Sequence, residues 1–130
     1  MIKILDFSGL LSYCLFIYWL SDQQTLPTPD WFEHQDKVLH FGAYFVMGLF
    51  AWRSFRHLTL SPGILTLVSI AFCSLYGASD EWHQSFVIGR SSDILDWIAD
   101  TSGASMSIFL LYKFALLYPN GFIPGCNNGK

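Results

Sequence analysis

The sequence predicts an all-α fold, a four-helix transmembrane bundle with both termini cytoplasmic, and three observations carry that expectation. Hydrophobic residues fill 52% of the chain and charged ones only 13%, against roughly 25% charged in an average soluble domain. Apolar stretches recur at approximately 4–20, 38–54, 64–80 and 94–117, each approaching the roughly 20 residues that a membrane-spanning helix needs. The segments between them are short and rich in turn formers, which places consecutive helices antiparallel. Residues 1–130 read as one domain. A soluble bundle is the poorer reading, because helices apolar all round need a membrane or a large core, and a chain of this length cannot build the large core.

The first stretch follows Lys3, and the residues after it, Trp19-Leu20-Ser21-Asp22, lack the small-x-small pattern of a cleaved leader, so it reads as a span. In the next segment Thr28 is placed to cap a short helix with Pro29 at its first position and Asp30 at the positive end of its dipole. Trp31 and Phe32 would anchor that piece at the headgroup level. Ser61-Pro62-Gly63 is a turn sequence before the third span, and Gly89 to Asp93 is another before the fourth, with Ser91 or Ser92 as its expected cap. Trp82 and Trp97 with Trp31 suit an outer aromatic belt, and Trp19 and Trp52 suit span ends. Gly103 and Ser107 form a small-x-x-x-small pair that lets two helices approach closely.

Lysine and arginine orient the bundle. With the amino terminus inside, Lys3, Arg53, Arg56, Lys113 and Lys130 are cytoplasmic and only Lys37 and Arg90 lie outside, which the positive-inside rule favours. Arg53, Arg56 and His57 then read as topology determinants or contacts to anionic lipid, and His34 and His83 as interfacial contacts. Cys14, Cys73 and Cys126 show no metal or disulfide spacing and read as small hydrophobes. A net charge of -3 offers nucleic acid no basic surface.

The functional signal is a polar cluster at the junction of the third and fourth stretches, holding Asp80, Glu81, Gln84, Arg90, Asp93, Asp96 and Asp100. Ionisable groups are costly near lipid, so such a cluster marks a site. Helical spacing adds Lys37, His40 and Tyr44, which share one face of the second helix, with Asp36 beside them. Up-down topology brings these stripes into one outward-opening pocket. His40 is the expected general acid or base, with Asp80 or Glu81 orienting it or acting as nucleophile. Asp36, Lys37, Tyr44, Gln84, Arg90, Asp93, Asp96 and Asp100 are expected binding residues, Arg90 being suited to a phosphate or carboxylate. Asp80, Glu81, Asp93 and Asp96 with His40 could hold a divalent cation of the magnesium, calcium or manganese type. The bland reading is an ion-pair network in which Lys37 and Arg90 neutralise the acids and lock three helices together.

The ordered motifs Asp36-Lys37-x-x-His40-Phe41-x-x-Tyr44, Asp80-Glu81-x-x-Gln84-x-Phe86, Gly89-Arg90 and Asp96-x-x-Ala99-Asp100-x-x-Gly103 resemble those of the VanZ-like family of small bacterial membrane proteins. The resemblance covers about residues 36 to 107. It implies a multi-pass protein of the bacterial cytoplasmic membrane and a link to susceptibility to the glycopeptide teicoplanin. Many relatives carry Asn at the position of Asp100. Three functions fit the pocket: binding of an envelope component, lipid headgroup or peptidoglycan-related ligand; a hydrolase or transferase acting on a lipid-linked substrate; and a proton-coupled transporter, for which Asp100 is the motivating residue. Membrane lipids are the expected partners, and the sequence names neither a cofactor, a metal nor an oligomeric state.

Overall fold

The computed structural model describes residues 1–25 and 31–118. Its helices are α1 (Ile2–Ser21), α2 (Gln35–Phe55), α3 (Pro62–Gln84) and α4 (Ile94–Leu117), with one 3-10 turn, Arg56–Leu58, after α2. Thr28, Pro29, Asp30, Cys126 and Lys130 lie outside the described residues. α1, α3 and α4 are long and apolar enough to cross a membrane. α2 matches them in length, at 21 residues, but Lys37, His40 and Arg53 make it less apolar. It is the central element, packing most extensively against α4 and also touching α1 and α3.

Beside an apolar core, many polar side chains are buried while large apolar ones face outward. Buried positions include Asp6, Ser21, Ser54, Ser69, Asp80, Glu81, Gln84, Asp96, Asp100 and Ser107, whereas Leu11, Leu15, Leu67, Leu75, Phe109 and Leu110 face outward. Apolar surface on that scale needs a nonaqueous solvent, and helices, whose backbone bonds are internal, satisfy their polar groups within it. The inward stripe of α1, Asp6, Leu10, Cys14, Ile17 and Ser21, is correspondingly narrow.

Helix starts are set by local chemistry. Ser61 accepts from the Ile64 N–H at 3.5 Å, and Pro62 occupies the first helical position, where its missing N–H costs nothing. α3 therefore begins two residues before the expected span, and it continues to Gln84, which keeps Asp80, Glu81 and Gln84 on one rigid element. Asp93, rather than Ser91 or Ser92, caps α4, its carboxylate accepting from the Leu95 N–H at 2.9 Å. The turn between α3 and α4 passes through Gly89 at φ 86°, a conformation that glycine adopts freely.

α2 and α4 cross with very little between them. A Cβ on Gly103 would overlap the Phe41 carbonyl, and one on Gly48 would overlap Ser107 Oγ, so the small residues do permit close approach. Two tryptophans depart from expectation. Trp52 is 1% exposed and belongs to the core, and Trp97 turns inward to donate its indole N–H to the Ser74 carbonyl at 3.0 Å. Trp19, Trp31 and Trp82 face outward.

At the end of the bundle formed by the start of α1 and the end of α2, Asp6 gathers the basic groups. Its carboxylate takes Arg53 Nε at 2.5 Å and His57 Nε2 at 2.7 Å, with Arg56 Nη2 at 3.8 Å. These three residues thus have a protein partner that their positions in sequence do not announce, an acid set within an apolar stretch.

Candidate functional site

The opposite end holds the predicted polar residues, supplied by the last turns of α1 and α3 and the first turns of α2 and α4. Lys37 stands at its edge and spends all three ammonium protons on carboxylates, Asp36 Oδ2, Asp93 Oδ2 and Asp96 Oδ1, each at 2.8 Å. It joins the start of α2 to the cap and first turn of α4. Asp96 is buried, whereas Asp36 is exposed and Asp93 intermediate.

Three residues form the floor. His40 Nδ1 lies 2.9 Å from Asp100 Oδ1 and 3.9 Å from Glu81 Oε1. Asp100 is fully buried, and it fits because the facing residue is Gly77: a Cβ there would lie 3.1 Å from Asp100 Oδ2 and 3.4 Å from the Tyr44 ring. Glu81 Oε2 accepts the Asp93 N–H at 2.8 Å, tying the end of α3 to the cap of α4. Glu81 Oε1, Asp100 Oδ2 and the Tyr44 hydroxyl have no hydrogen-bond partner among the described residues, which is costly for buried polar atoms.

A second group faces α1. Ser21 donates to Asp80 Oδ1, and Gln84 Nε2 lies 3.4 Å from both Asp80 Oδ2 and Ser21 Oγ. Arg90 Nη2 donates to Gln84 Oε1 at 3.1 Å. Arg90 thus binds an amide rather than sharing the acids with Lys37, and Asp80 accepts from a hydroxyl. Ser21 escaped notice in the sequence because it ends an apolar run; its place on the stripe that begins with Asp6 was the available signal. Tyr76, spaced regularly with Asp80 and Gln84, leaves the group and donates to the Cys14 carbonyl at 2.6 Å.

An open cavity of about 520 Å³ lies over the floor, lined by Phe32, Asp36, His40, Gln84, Arg90 and Asp96 among others. Beneath it a smaller one of about 70 Å³ reaches Tyr44 and Asp80, and His40, Gln84 and Arg90 border both. Electrostatically the region is one-sided. Among the described residues, six carboxylates, those of Asp36, Asp80, Glu81, Asp93, Asp96 and Asp100, meet two permanent cations, Lys37 and Arg90. The five-residue metal set expected from sequence does not assemble, because Lys37 holds Asp93 and Asp96 and Ser21 holds Asp80. His40, Glu81 and Asp100 do come together, with ligand atoms within 4.8 Å of one another.

Asp93 lies outside the spanning segments. The Lys37 ammonium, helped by the Leu95 N–H, holds its carboxyl below the ordinary carboxylate range. Its contribution is therefore complete above the unfolded-state value of roughly pH 4 and is lost as pH falls through the lower folded-state value. Asp93→Asn is expected to flatten the acid limb of thermal stability below about pH 4, measured by a Tm series in detergent against the unsubstituted protein.

The VanZ/LLP1 family matches residues 6–117, a range that includes every candidate residue named above. The uncharacterized protein C11E3.10 of Schizosaccharomyces pombe is similar to this chain, 31% identical over 93 residues that cover 71% of the chain and 53% of that protein. The chain thus spans about half the length of this curated relative. No solved structure matches. With its apolar exterior, three helices fit to span a membrane and a family match over most of its length, the chain belongs to the VanZ/LLP1 family of multi-pass membrane proteins.

Proposed function

We propose that this protein binds the polar headgroup of an envelope lipid in the cavity over His40, at the outer face of a bacterial cytoplasmic membrane. The observation that carries this reading is an open polar cavity, lined by Asp36, Asp96 and Arg90 among others, at one end of an apolar helix bundle. A headgroup bearing both an ammonium and a phosphate suits that lining: the ammonium meets the Asp36 and Asp96 side of the cavity, and the phosphate meets the guanidinium protons of Arg90 that Gln84 does not use. Lys3, Arg53, Arg56 and Lys113 gather at the other end, which supports both termini being cytoplasmic, and residues 1–130 act as one domain.

Occupancy of such a headgroup alters the charge and composition of the outer surface, and this is the proposed route to a changed teicoplanin susceptibility. The test is native mass spectrometry of the detergent-purified protein with aminophospholipid and with phosphatidylglycerol. Preferential retention of the aminophospholipid, weakened about tenfold by Arg90→Ala through loss of one charge-assisted contact, supports the reading. Equal retention of both lipids, or no effect of the substitution, overturns it.

A hydrolase or transferase is the second reading, favoured by the 2.9 Å contact between His40 Nδ1 and Asp100. A carboxylate on Nδ1–H orients the ring and leaves Nε2 as the proton acceptor. A change in the lipid inventory of membranes containing the protein, absent with His40→Ala at equal abundance, would support turnover.

A further inference from the structure

We infer that His40, Glu81 and Asp100 form a binding site for a divalent transition-metal ion of the zinc or manganese type. Three helices contribute one ligand each: α2 the imidazole, α3 and α4 the carboxylates. Two independent observations point to a cation there rather than to a self-contained network.

The first is the pair of orphaned oxygens. Glu81 Oε1 and Asp100 Oδ2 belong to side chains 6% and 0% exposed, and neither has a hydrogen-bond donor among the described residues; Glu81 Oε1 is the orphan that faces the imidazole, while Asp100 turns Oδ1 to His40 and Oδ2 toward Gly77. Carboxylates are acceptor-only when ionised, so two of them facing one imidazole need a further positive group. The second is that the neighbouring cations are already committed. Lys37 has no proton left after Asp36, Asp93 and Asp96, and Arg90 is turned to Gln84. An ion of charge +2 would balance Glu81 and Asp100 around a neutral His40.

The spacing suits this ion class. Bonds of roughly 2.0–2.2 Å from a tetrahedral ion set its ligand atoms about 3.3–3.6 Å apart. The separations of 2.9 Å and 3.9 Å from His40 Nδ1 bracket that range. A mixed nitrogen and oxygen donor set selects zinc or manganese over magnesium, which prefers oxygen and retains its water. His40 also borders the open cavity, which provides an entry path and a face for a fourth ligand. The Asp93 N–H on Glu81 Oε2 fixes the second carboxylate oxygen and orients the first.

The site stands without the headgroup reading, because metal binding can be measured with no lipid added. The full chain, purified in detergent and stripped with a chelator, is titrated with Zn²⁺, Mn²⁺ and Mg²⁺ by calorimetry, with metal content read by mass spectrometry after desalting. The expected result is one equivalent of Zn²⁺ or Mn²⁺ per chain, a rise in Tm on binding, and Mg²⁺ at least tenfold weaker. Glu81→Gln and Asp100→Asn keep side-chain shape and are expected to weaken binding ~100-fold or more, as loss of a ligand exceeds the 10–100-fold cost of losing an outer-shell partner. Glu33→Gln, at an acid whose side chain is 90% exposed, should leave stoichiometry and affinity unchanged. A folded, stripped protein that takes up no transition ion, or whose binding survives both ligand substitutions, overturns the site and means that the carboxylates hold protons instead. If Asp100→Asn fails to fold, Glu81→Gln alone decides.

Discussion

Gly103→Val is expected to prevent assembly of the folded bundle, while Gly42→Ala leaves it intact. Both glycines are helical, but a Cβ on Gly103 would overlap the carbonyl oxygen of Phe41, an atom that cannot move without shifting α2. Gly42 has nothing within 4 Å of the corresponding position. Overpacking a tight core costs typically about 1–3 kcal/mol and more where the neighbour is backbone, so a loss above about 3 kcal/mol is expected. Fluorescence-detected size exclusion after a heating series measures it. Equal melting of Gly103→Val and the unsubstituted protein would mean that α2 and α4 do not cross at this point, and the site built on their register would go with it.

Lys37→Met should be the most damaging substitution among the charged residues. It leaves Asp36, Asp93 and Asp96 facing one another without the ammonium that all three share at 2.8 Å. Breaking a buried ion pair costs about 3–5 kcal/mol. The Lys37 side chain is 20% exposed and Asp36 and Asp93 are reached by solvent, so about 2–3 kcal/mol is expected. The loss should be partly recovered in Lys37→Met with Asp96→Asn, because Asp96 is the most buried acid of the three. A double-mutant cycle on chemical denaturation tests this, and strict additivity would show that Lys37 acts on Asp96 only through general packing.

Much of the architecture could be read from the chain. Four apolar stretches became four helices, the last with the expected boundaries, and the spacing of Lys37, His40 and Tyr44 placed the α2 stripe correctly. Errors arose where a residue answers to a neighbour rather than to its own helix. Asp93 displaced the two serines as cap because one carboxylate serves both the Leu95 N–H and Lys37. Asp6 passed unnoticed as one acid in a long apolar run, although it organises the other end of the bundle. Trp52 looked like a span-end tryptophan, but the path of α2 carries it into the core.

Within the candidate site the same division holds. Residue type and helical period select which groups share a face, since 3.6 residues per turn is a property of the backbone alone. By themselves they determined the family motifs, the greasy exterior and the polar character of one bundle end. Pairing was decided by tertiary structure: Lys37 with Asp93 and Asp96 across 56 and 59 residues, His40 with Asp100 across 60, and Ser21 with Asp80 across 59. A helix's period leaves open its rotation and depth against its neighbours. Those are set here by how closely Gly48 and Gly103 let α2 and α4 meet, and a shift of one turn would bring a different acid to each cation.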